Sequence, residues 1–389
     1  MLTFKNFTGI NNVIPTERLE HDPETGTAEL SQAVNVDIGL KGEVRRRSGY
    51  SEVLDTCHKN LHQSKGYMLA TVDGGDLISM DEDGGNRVTL YPSLGVSRVW
   101  YCNLPDGRTT FSNGLICGIT DGQTMTKWGV PIPASVGAAT QVGGGLFAGE
   151  YRWQLTHVRL SDGLEGAPAY SAPVQIEGGI VLTGLPELDG HKLNVYLSNG
   201  EHAYLAGSTT NGAFSFTGEN NDLVLPCRTD FMRPAPAGTV SAFFGSRVLV
   251  AVGPVLYASR PNGWELFDIK RDFKQFEDNI TLIQPVDDGV YVGTETSLAF
   301  LSGSEFDKLT YRSVALGPVV LGSGVSIQGE HAGQSGSAMI CIVDGVICAG
   351  FNGGNLVRMT EGRYQTDVAE VAATFRMIDR IPQYIAIPQ

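Results

Sequence analysis

The stretch DGVYVGTETSLAFLSG, residues 288–303, has a pattern typical of two paired β-strands. It opens on an Asp-Gly pair, runs through an apolar segment and a short polar turn, and ends in a second segment with large apolar side chains. Asp-Gly pairs favour the positive φ angles of tight hairpin turns, and alternating apolar residues are typical of half-buried strands. The stretch therefore predicts a β-hairpin that buries one face.

Related hairpin patterns recur along the chain, at residues 113–129 and 344–362 and, more weakly, at residues 245–266. Two paired strands of this kind cannot bury their apolar faces alone, so they must stack on neighbouring copies. Stacked sheets of roughly 40 to 50 residues each are typical of propeller blades. We predict an all-β protein built on a β-propeller of about five to seven blades. The alternative is an ordinary β-meander with frequent turns.

The composition agrees with many short strands joined by tight turns. The 389 residues include 49 glycines and 18 prolines, 42% are hydrophobic and 18% are charged. An excess of turn formers without a collagen period favours an all-β fold over disorder. Only two short helices are expected, at residues 28–34 and 367–373. No apolar run approaches the roughly 18 residues of a membrane span, so we expect no stable membrane insertion.

The middle of the chain lacks the hairpin repeat. Residues from about 143 to 226 contain several short alternating strands, which predict a small fibronectin-like or immunoglobulin-like β-sandwich. We therefore expect an N-terminal arm and the first part of the propeller in residues 1–135. The inserted sandwich should occupy residues 136–232, and the second part of the propeller residues 233–389.

Charge and cysteine content limit the function classes. The net charge of −14 disfavours a protein that grips nucleic acid through its phosphates. It is compatible with a surface that DNA passes without adhering, or with acidity that only keeps the protein soluble. No pair of the six cysteines has the C-x-x-C spacing of zinc or redox sites. We expect reduced, buried thiols and folding in a reducing cytoplasm.

One basic cluster stands out in this acidic chain, formed by Arg45, Arg46 and Arg47. Three neighbouring arginines favour contact with an acidic partner surface or with DNA phosphates. They are also typical of an exposed strand edge, where charge prevents unwanted pairing. We predict that they contact a partner protein or guard such an edge.

Residues 33–51, AVNVDIGLKGEVRRRSGYS, follow a short arm, GINNVIPTERLE, at residues 9–20. Together with residues 283–304, LGPVVLGSGVSIQ at 316–328, DGVICAG at 344–350 and QYIA at 383–386, this pattern resembles the tail nozzle and packaged-DNA stabilisation proteins of short-tailed bacteriophages. The resemblance covers both flanks of the chain but not the predicted sandwich. It implies a β-propeller virion protein that forms a tail nozzle or a plug below the portal.

The resemblance implies a structural role rather than catalysis. We expect a ring of identical subunits, which could be a hexamer, around the DNA exit channel of the tail. Its partners would be the portal or adaptor, other tail proteins, and DNA that passes without specific binding. It would serve tail assembly, DNA retention and DNA ejection after assembly in the host cytoplasm. We expect no catalytic residues, no cofactor, no metal and no small-molecule substrate.

A different class of function is a carbohydrate-binding or sugar-cleaving propeller for host-surface recognition. Its sugar pocket could be lined by Trp100, Trp128 and Trp264, although buried packing between blades is the more typical role of such residues.

The sequence motifs of metal and nucleophile sites are incomplete in this chain. The segment 81–86 resembles a calcium loop but has proline at position twelve. His58 and His62 lack an H-E-x-x-H pattern, and GQSGS at 333–337 departs from G-x-S-x-G.

Overall fold

A computed structural model describes residues 7–19, 28–39, 42–47, 49, 51–52, 54, 56–378 and 381–389. Nearly all of its regular structure is β, and the strands are joined by tight turns. Six short 3₁₀ turns complete it, at Thr16–Arg18, Asp73–Gly75, Asn220–Asp222, Phe306–Lys308, Gly329–Ala332 and Asn352–Gly354. The described residues contain no helix long and apolar enough to span a membrane.

Two small sheets form the N-terminal arm. Strands β1 (Phe7–Ile10) and β2 (Ala28–Leu30) pair in parallel, and β3 (Val36–Ile38) and β4 (Val44–Arg46) form an antiparallel pair. The helix predicted at residues 28–34 is therefore wrong, because its first residues are held as a strand by pairing with β1. This tertiary pairing outweighs the weak local preference of a short segment.

Five antiparallel sheets follow the arm, and the strands of each sheet pair mainly in chain order, as in propeller blades. Blade 1 contains β5 (Lys59–Gln63), β6 (Met68–Val72), β7 (Asp76–Met80) and β8 (Val88–Tyr91). Blade 2 contains β9 (Trp100–Asn103), β10 (Thr109–Ser112), β11 (Cys117–Thr120) and β12 (Met125–Lys127). Both fall within residues 1–135, the range expected for the arm and the first part of the propeller.

The inserted domain separates blades 2 and 3. Its strands are β13 (Ala138–Arg159), β14 (Ala169–Tyr170), β15 (Val174–Thr183), β16 (His191–Ser198), β17 (Tyr204–Thr209) and β18 (Ala213–Phe216). The first half of β13 pairs with β15 and the second half with β16, so one long strand belongs to both layers. The two layers enclose a single apolar core, and all six strands lie within the expected range of 136–232.

The chain then returns to the propeller. Blade 3 contains β19 (Ser241–Phe244), β20 (Arg247–Val252), β21 (Val255–Arg260), β22 (Gly263–Phe267) and β23 (Phe273–Gln275). Blade 4 contains β24 (Ile280–Val286), β25 (Gly289–Thr294), β26 (Ser297–Ser302) and β27 (Thr310–Leu316). Blade 5 contains β28 (Val325–Gln328), β29 (Ser337–Val343), β30 (Val346–Phe351) and β31 (Asn355–Arg358). The protein is thus a β-propeller with an inserted β domain, as predicted.

A C-terminal hairpin packs on blade 5 as the next unit of the series. It is formed by β32 (Val371–Ile378) and β33 (Ile381–Pro388), so the helix predicted at residues 367–373 is wrong. Phe375 and Tyr384 of the hairpin pack against the apolar face of blade 5. The outer edge of β33 carries Pro382 and Pro388, which lack the backbone N–H needed to add a further strand.

Apolar side chains between consecutive blades form the core of the propeller. Blades 4 and 5 illustrate this, because Phe300 and Tyr291 of blade 4 pack with Met339 and Cys341 of blade 5. The rings of Tyr291 and Phe300 lie 4.8 Å apart, and the Tyr291 hydroxyl donates to the Phe351 carbonyl oxygen at 2.6 Å. Similar clusters join blades 1 to 2, 2 to 3 and 3 to 4.

Arg98, in the connection between blades 1 and 2, reaches the start of the C-terminal hairpin. Its guanidinium donates to the Glu370 carboxylate and to the Val371 carbonyl oxygen, each at 2.8 Å, and lies 4.3 Å from the centre of the Trp100 ring. Gly322 must lack a side chain here, because its φ is 76° and a Cβ would overlap the backbone carbonyl oxygen of Val371. The connection between blades 1 and 2 is therefore joined to the C-terminal hairpin by charge and by hydrogen bonds.

Candidate interaction sites

The predicted basic cluster lies on the small β3–β4 sheet. Arg45 pairs across the sheet with Asp37, and Arg46 with Val36, while Arg47 continues the edge. All three arginines are exposed. Arg45 forms a surface ion pair with Glu43 at 2.9 Å. In the part of the chain that the structure describes, Arg46 and Arg47 form no ion pair, so their charges face solvent in the single subunit.

The arm that carries this cluster is attached to its own subunit. The Asn12 side chain donates to the Gln365 carbonyl oxygen at 2.8 Å and accepts from the Gln365 backbone N–H at 2.9 Å. Its backbone N–H donates to the Arg363 carbonyl oxygen. The connection after blade 5 therefore holds residue 12, and the β3–β4 sheet extends from an arm with a defined anchor.

A buried ion cluster joins the inserted domain to the propeller. Glu265 of blade 3 has a side chain that is only 4% exposed, and it accepts from Arg159 of the insert and from Arg108 of blade 2, each at 3.0 Å. Asp162 pairs with Arg159 at 2.6 Å and Asp106 with Arg108 at 2.8 Å. A buried carboxylate between two arginines fixes three elements relative to one another, because each charge depends on its partners for compensation.

The pKa values within this ion cluster follow from its geometry. Hydrogen bonding to Arg159 holds the pKa of the Asp162 carboxyl below its ordinary value, although burial opposes the effect. Burial alone would lower the pKa of Arg159, but hydrogen bonds to Asp162 and Glu265 hold it above its ordinary value. Asp162 and Arg159 therefore both stay charged at neutral pH, and the cluster works as a structural clamp.

Sequence reasoning missed this junction. Its signal was available in the stretch Trp264-Glu265-Leu266-Phe267, where a carboxylate interrupts a strand that is otherwise apolar. A charge at a buried strand position needs a partner of opposite sign. The two arginines that satisfy it are 106 and 157 residues away. Local pattern cannot locate such partners.

A second polar cluster lies on the face of the insert opposite its apolar core. The Glu165 carboxylate accepts from the Thr156 hydroxyl at 2.5 Å, the Asn194 amide at 3.0 Å and the Tyr196 hydroxyl at 2.6 Å. Ser208 donates to the Asn194 side-chain oxygen at 2.7 Å. Three donors converge on the Glu165 carboxylate and Ser208 extends the network through Asn194, so the arrangement orders this face of the sheet.

The three tryptophans named for a sugar pocket pack in contacts between blades. Trp128 is buried between blades 2 and 3, and its indole donates to the Trp264 carbonyl oxygen at 2.8 Å. The Trp264 indole donates to the Ser246 carbonyl oxygen at 2.9 Å. Trp100 is half-buried beside Arg98 and packs against the cluster between blades 3 and 4. The three side chains do not share one exposed surface.

The incomplete motifs form ordinary turns and contacts. In the segment 81–86, the Asn86 amide donates to the Asp81 carboxylate at 2.6 Å, which closes a hairpin turn. His62 lies on β5, stacks on Tyr101 and contacts the Asn103 side chain at 2.9 Å. The Ser337 hydroxyl accepts from the Asp287 backbone N–H at 2.7 Å. Among the described residues, no group of three or more His, Cys, Asp or Glu side chains is arranged to hold a metal ion.

The six cysteines are free thiols, as expected. Cys102, Cys341 and Cys348 are buried and Cys117 and Cys227 are partly buried, whereas Cys57 is exposed. The prediction of burial is therefore wrong for Cys57. Burial raises the pKa of the Cys102 thiol to about 12, so this side chain behaves as a small apolar group at neutral pH.

Comparison with known proteins supplies no family. No protein-family model matches the chain, and no curated protein matches it. The WD40 domain of Pan2 from Neurospora crassa is 9% identical over 86% of each chain, with a TM-score of 0.34. BBS1N, solved in complex with ARL6DN, is 12% identical over 88% of this chain and 93% of its own, with a TM-score of 0.37. BamB from Moraxella catarrhalis is 10% identical over 83% of this chain and 82% of its own, with a TM-score of 0.33. Similarity this distant is limited to the fold.

Proposed function

We propose that this chain is a structural protein of a bacteriophage tail, assembled into a nozzle or plug ring around the DNA exit channel. The supporting observation is the exposed strand of Arg45, Arg46 and Arg47 on a chain whose net charge is −14. A basic strand on an arm and an acidic body are complementary between copies of one protein. Such heterologous contacts generate closed rings when the rotation between subunits closes.

The inserted domain suits a static role in such an assembly. The ion cluster at Glu265 links it to blades 2 and 3, so it moves with the propeller as one body. A ring built from such subunits presents every insert at a fixed position. Neighbouring tail proteins, including the portal or adaptor, would contact that surface.

Self-assembly of the full-length purified chain tests the proposal. We expect rings in electron micrographs and in mass photometry, and a smaller ring fraction as salt rises. Screening acts over roughly 8 Å at physiological ionic strength and roughly 3 Å at 1 M. Replacing Arg45, Arg46 and Arg47 together by Glu should abolish rings and incorporation into tails. The matched control replaces three exposed arginines elsewhere, Arg87, Arg152 and Arg271, by Glu.

Equal loss in both triple variants would show that net charge alone matters and would contradict the role of the arm. Removal of residues 1–20 should also prevent incorporation while leaving the propeller folded by circular dichroism. Normal tails carrying the truncated chain would count against the ring contact. Particles that lack this chain on the tail axis would overturn the whole proposal.

Passage of DNA is the second part of the proposal. Each phosphate contact by Lys or Arg would add affinity and slow ejection, so the channel wall should be net acidic. We expect Arg45, Arg46 and Arg47 to face a protein neighbour rather than the channel. Fluorescence anisotropy with a duplex in physiological salt should show no binding at micromolar protein. Binding of the duplex at micromolar or lower protein concentration would contradict this part of the proposal and would indicate a plug that holds the DNA by its phosphates.

A further inference from the structure

An apolar pocket lies at the base of the inserted domain. Its volume is about 490 Å³, within the range of pockets that hold small organic ligands. One wall comes from Tyr91 of blade 1 and from β11, β12 and the turn before β11 in blade 2. The other comes from the two connections that lead into and out of the insert. The lining side chains include Ile116, Cys117, Met125, Trp128, Ile132 and Pro234.

Backbone packing sets the shape of this pocket. Gly129 has a φ of 111°, and a Cβ there would lie 2.8 Å from the Glu265 carbonyl oxygen and from Pro234. The Trp128 indole is held by the Trp264 carbonyl oxygen, and the Cys117 thiol donates to the Ala235 carbonyl oxygen at 3.7 Å. The walls are therefore fixed before any ligand arrives, which lowers the entropy cost of binding.

At the mouth of the pocket, the exposed apolar side chain of Leu115 lies near the ammonium group of Lys127. Leu115, on the turn beside it, is 87% exposed. Lys127 follows Met125 by two residues on β12, and both lie on the pocket side of the strand. Lys127 is exposed and forms no ion pair among the residues that the structure describes. An apolar cavity with one unpaired ammonium group at its rim favours a ligand with an apolar body and one anionic end.

We propose that this pocket binds an elongated apolar molecule with a single anionic head group, such as a long-chain carboxylate. The apolar body lies against Trp128 and Ile116 and covers Leu115, while the head group pairs with the Lys127 ammonium. This binding site is independent of ring assembly and of the arginine strand. Because both connections to the insert form its walls, an occupied pocket also stiffens the joint between insert and propeller.

Calorimetric titration of the full chain with three twelve-carbon probes tests this site. Dodecanoate should bind more tightly than dodecanol, and dodecyltrimethylammonium should bind weakest. Lys127→Ala should weaken dodecanoate binding about tenfold, the effect of losing one charged hydrogen bond, and leave dodecanol binding unchanged. The matched control, Lys270→Ala, removes an exposed lysine of blade 3 and should change neither.

Location is tested separately from charge. Ile132→Trp should fill the pocket and abolish binding of both dodecanoate and dodecanol, with the fold checked by circular dichroism. In the unaltered protein, bound dodecanoate should slow alkylation of Cys117, followed by peptide mass mapping, and leave the exposed Cys57 unaffected. The site would be overturned if dodecanoate did not bind up to its solubility limit. Equal loss of dodecanoate affinity in Lys127→Ala and Lys270→Ala would also overturn it. So would unchanged binding in a folded Ile132→Trp variant.

Discussion

Phe300 in blade 4 and Leu155 in the insert are both fully buried strand residues, but different parts of the chain bury them. Phe300 packs within a cluster that blade 4 shares with blade 5, whereas Leu155 packs only with residues of its own domain. A blade is therefore stable only beside its neighbours, and the insert closes its own core. Damage to one blade should spread along the propeller, while damage to the insert should stay local.

The largest expected effect comes from core truncation. Phe300→Ala should lower the free energy of unfolding by about 3–5 kcal/mol, through lost apolar contact and a cavity. Hydrogen exchange measured by mass spectrometry should increase in blades 4 and 5 together. Leu155→Ala should cost a similar amount, about 2–5 kcal/mol, but raise exchange only within the insert. An equal rise in the blades of the Leu155→Ala variant would contradict the comparison.

The junction between the two regions is the next target. Glu265→Gln should destabilise the protein by about 2 kcal/mol, less than the 3–5 kcal/mol of a fully buried pair, because Asp106 and Asp162 still compensate the arginines. Unfolding in urea should change from one transition to two, since insert and propeller lose their link. The control is Glu305→Gln, which removes an exposed partner of Lys308 and should leave the unfolding curve unchanged. A single unshifted transition in Glu265→Gln would count against the clamp.

Mild acid should weaken the insert by a smaller amount. Burial lowers the pKa of His157 from its ordinary value of 6.5, and its Nδ1 donates to the Pro131 carbonyl oxygen at 3.0 Å. A depressed histidine pKa means that the unfolded chain takes up the proton first. Stability is therefore full above pH 6.5 and falls as the pH drops through the folded pKa, by at most about 1.4 kcal/mol per pH unit for one proton.

His157→Gln should remove this dependence from the unfolding of the insert. His62 in blade 1 also has a pKa lowered by burial, and His62→Gln should change only the propeller. Hydrogen exchange measured by mass spectrometry at pH 7 and pH 5, corrected for the intrinsic exchange rate, would separate the effect in the insert from the effect in blade 1. Identical pH profiles for the unaltered protein and His157→Gln would contradict this assignment.

The local sequence pattern predicted the positions of hairpins well, but it did not predict which strands of a blade each hairpin contains. The stretches 113–129 and 344–362 are the third and fourth strands of their blades, whereas 288–303 holds the second and third strands of blade 4. The matching turns, Asn-Gly at residue 113 and Asp-Gly at residues 288 and 344, therefore repeat by hairpin and not by blade. Asp344 and Gly345 have the positive φ angles expected of such a turn. Gly289 instead lies in β25, where a Cβ would overlap the Phe300 ring.

The parts that could not be predicted all depend on distant residues. The inserted domain was visible because its strands alternate, but β13 serves both of its layers, and no local pattern shows that one strand has two partners. The clamp at Glu265 joins residues from blade 2, the insert and blade 3. The arginines of β4 were recognised from sequence, whereas their exposure on a separate small sheet follows from pairing with β3.

The chain leaves the propeller and returns to it at nearly the same point, because the Ala235 backbone N–H donates to the Trp128 carbonyl oxygen at 3.1 Å. At the level of the gene, such an excursion can be gained, lost or exchanged between lineages without altering the blades on either side. Neighbouring blades share their apolar cores, so a substitution in one blade must instead be matched by a substitution in the next. Related proteins should therefore keep similar blades while differing most in the segment between these two residues. Comparison of their genes would show this as a sharp rise in divergence after Trp128 that ends at Ala235.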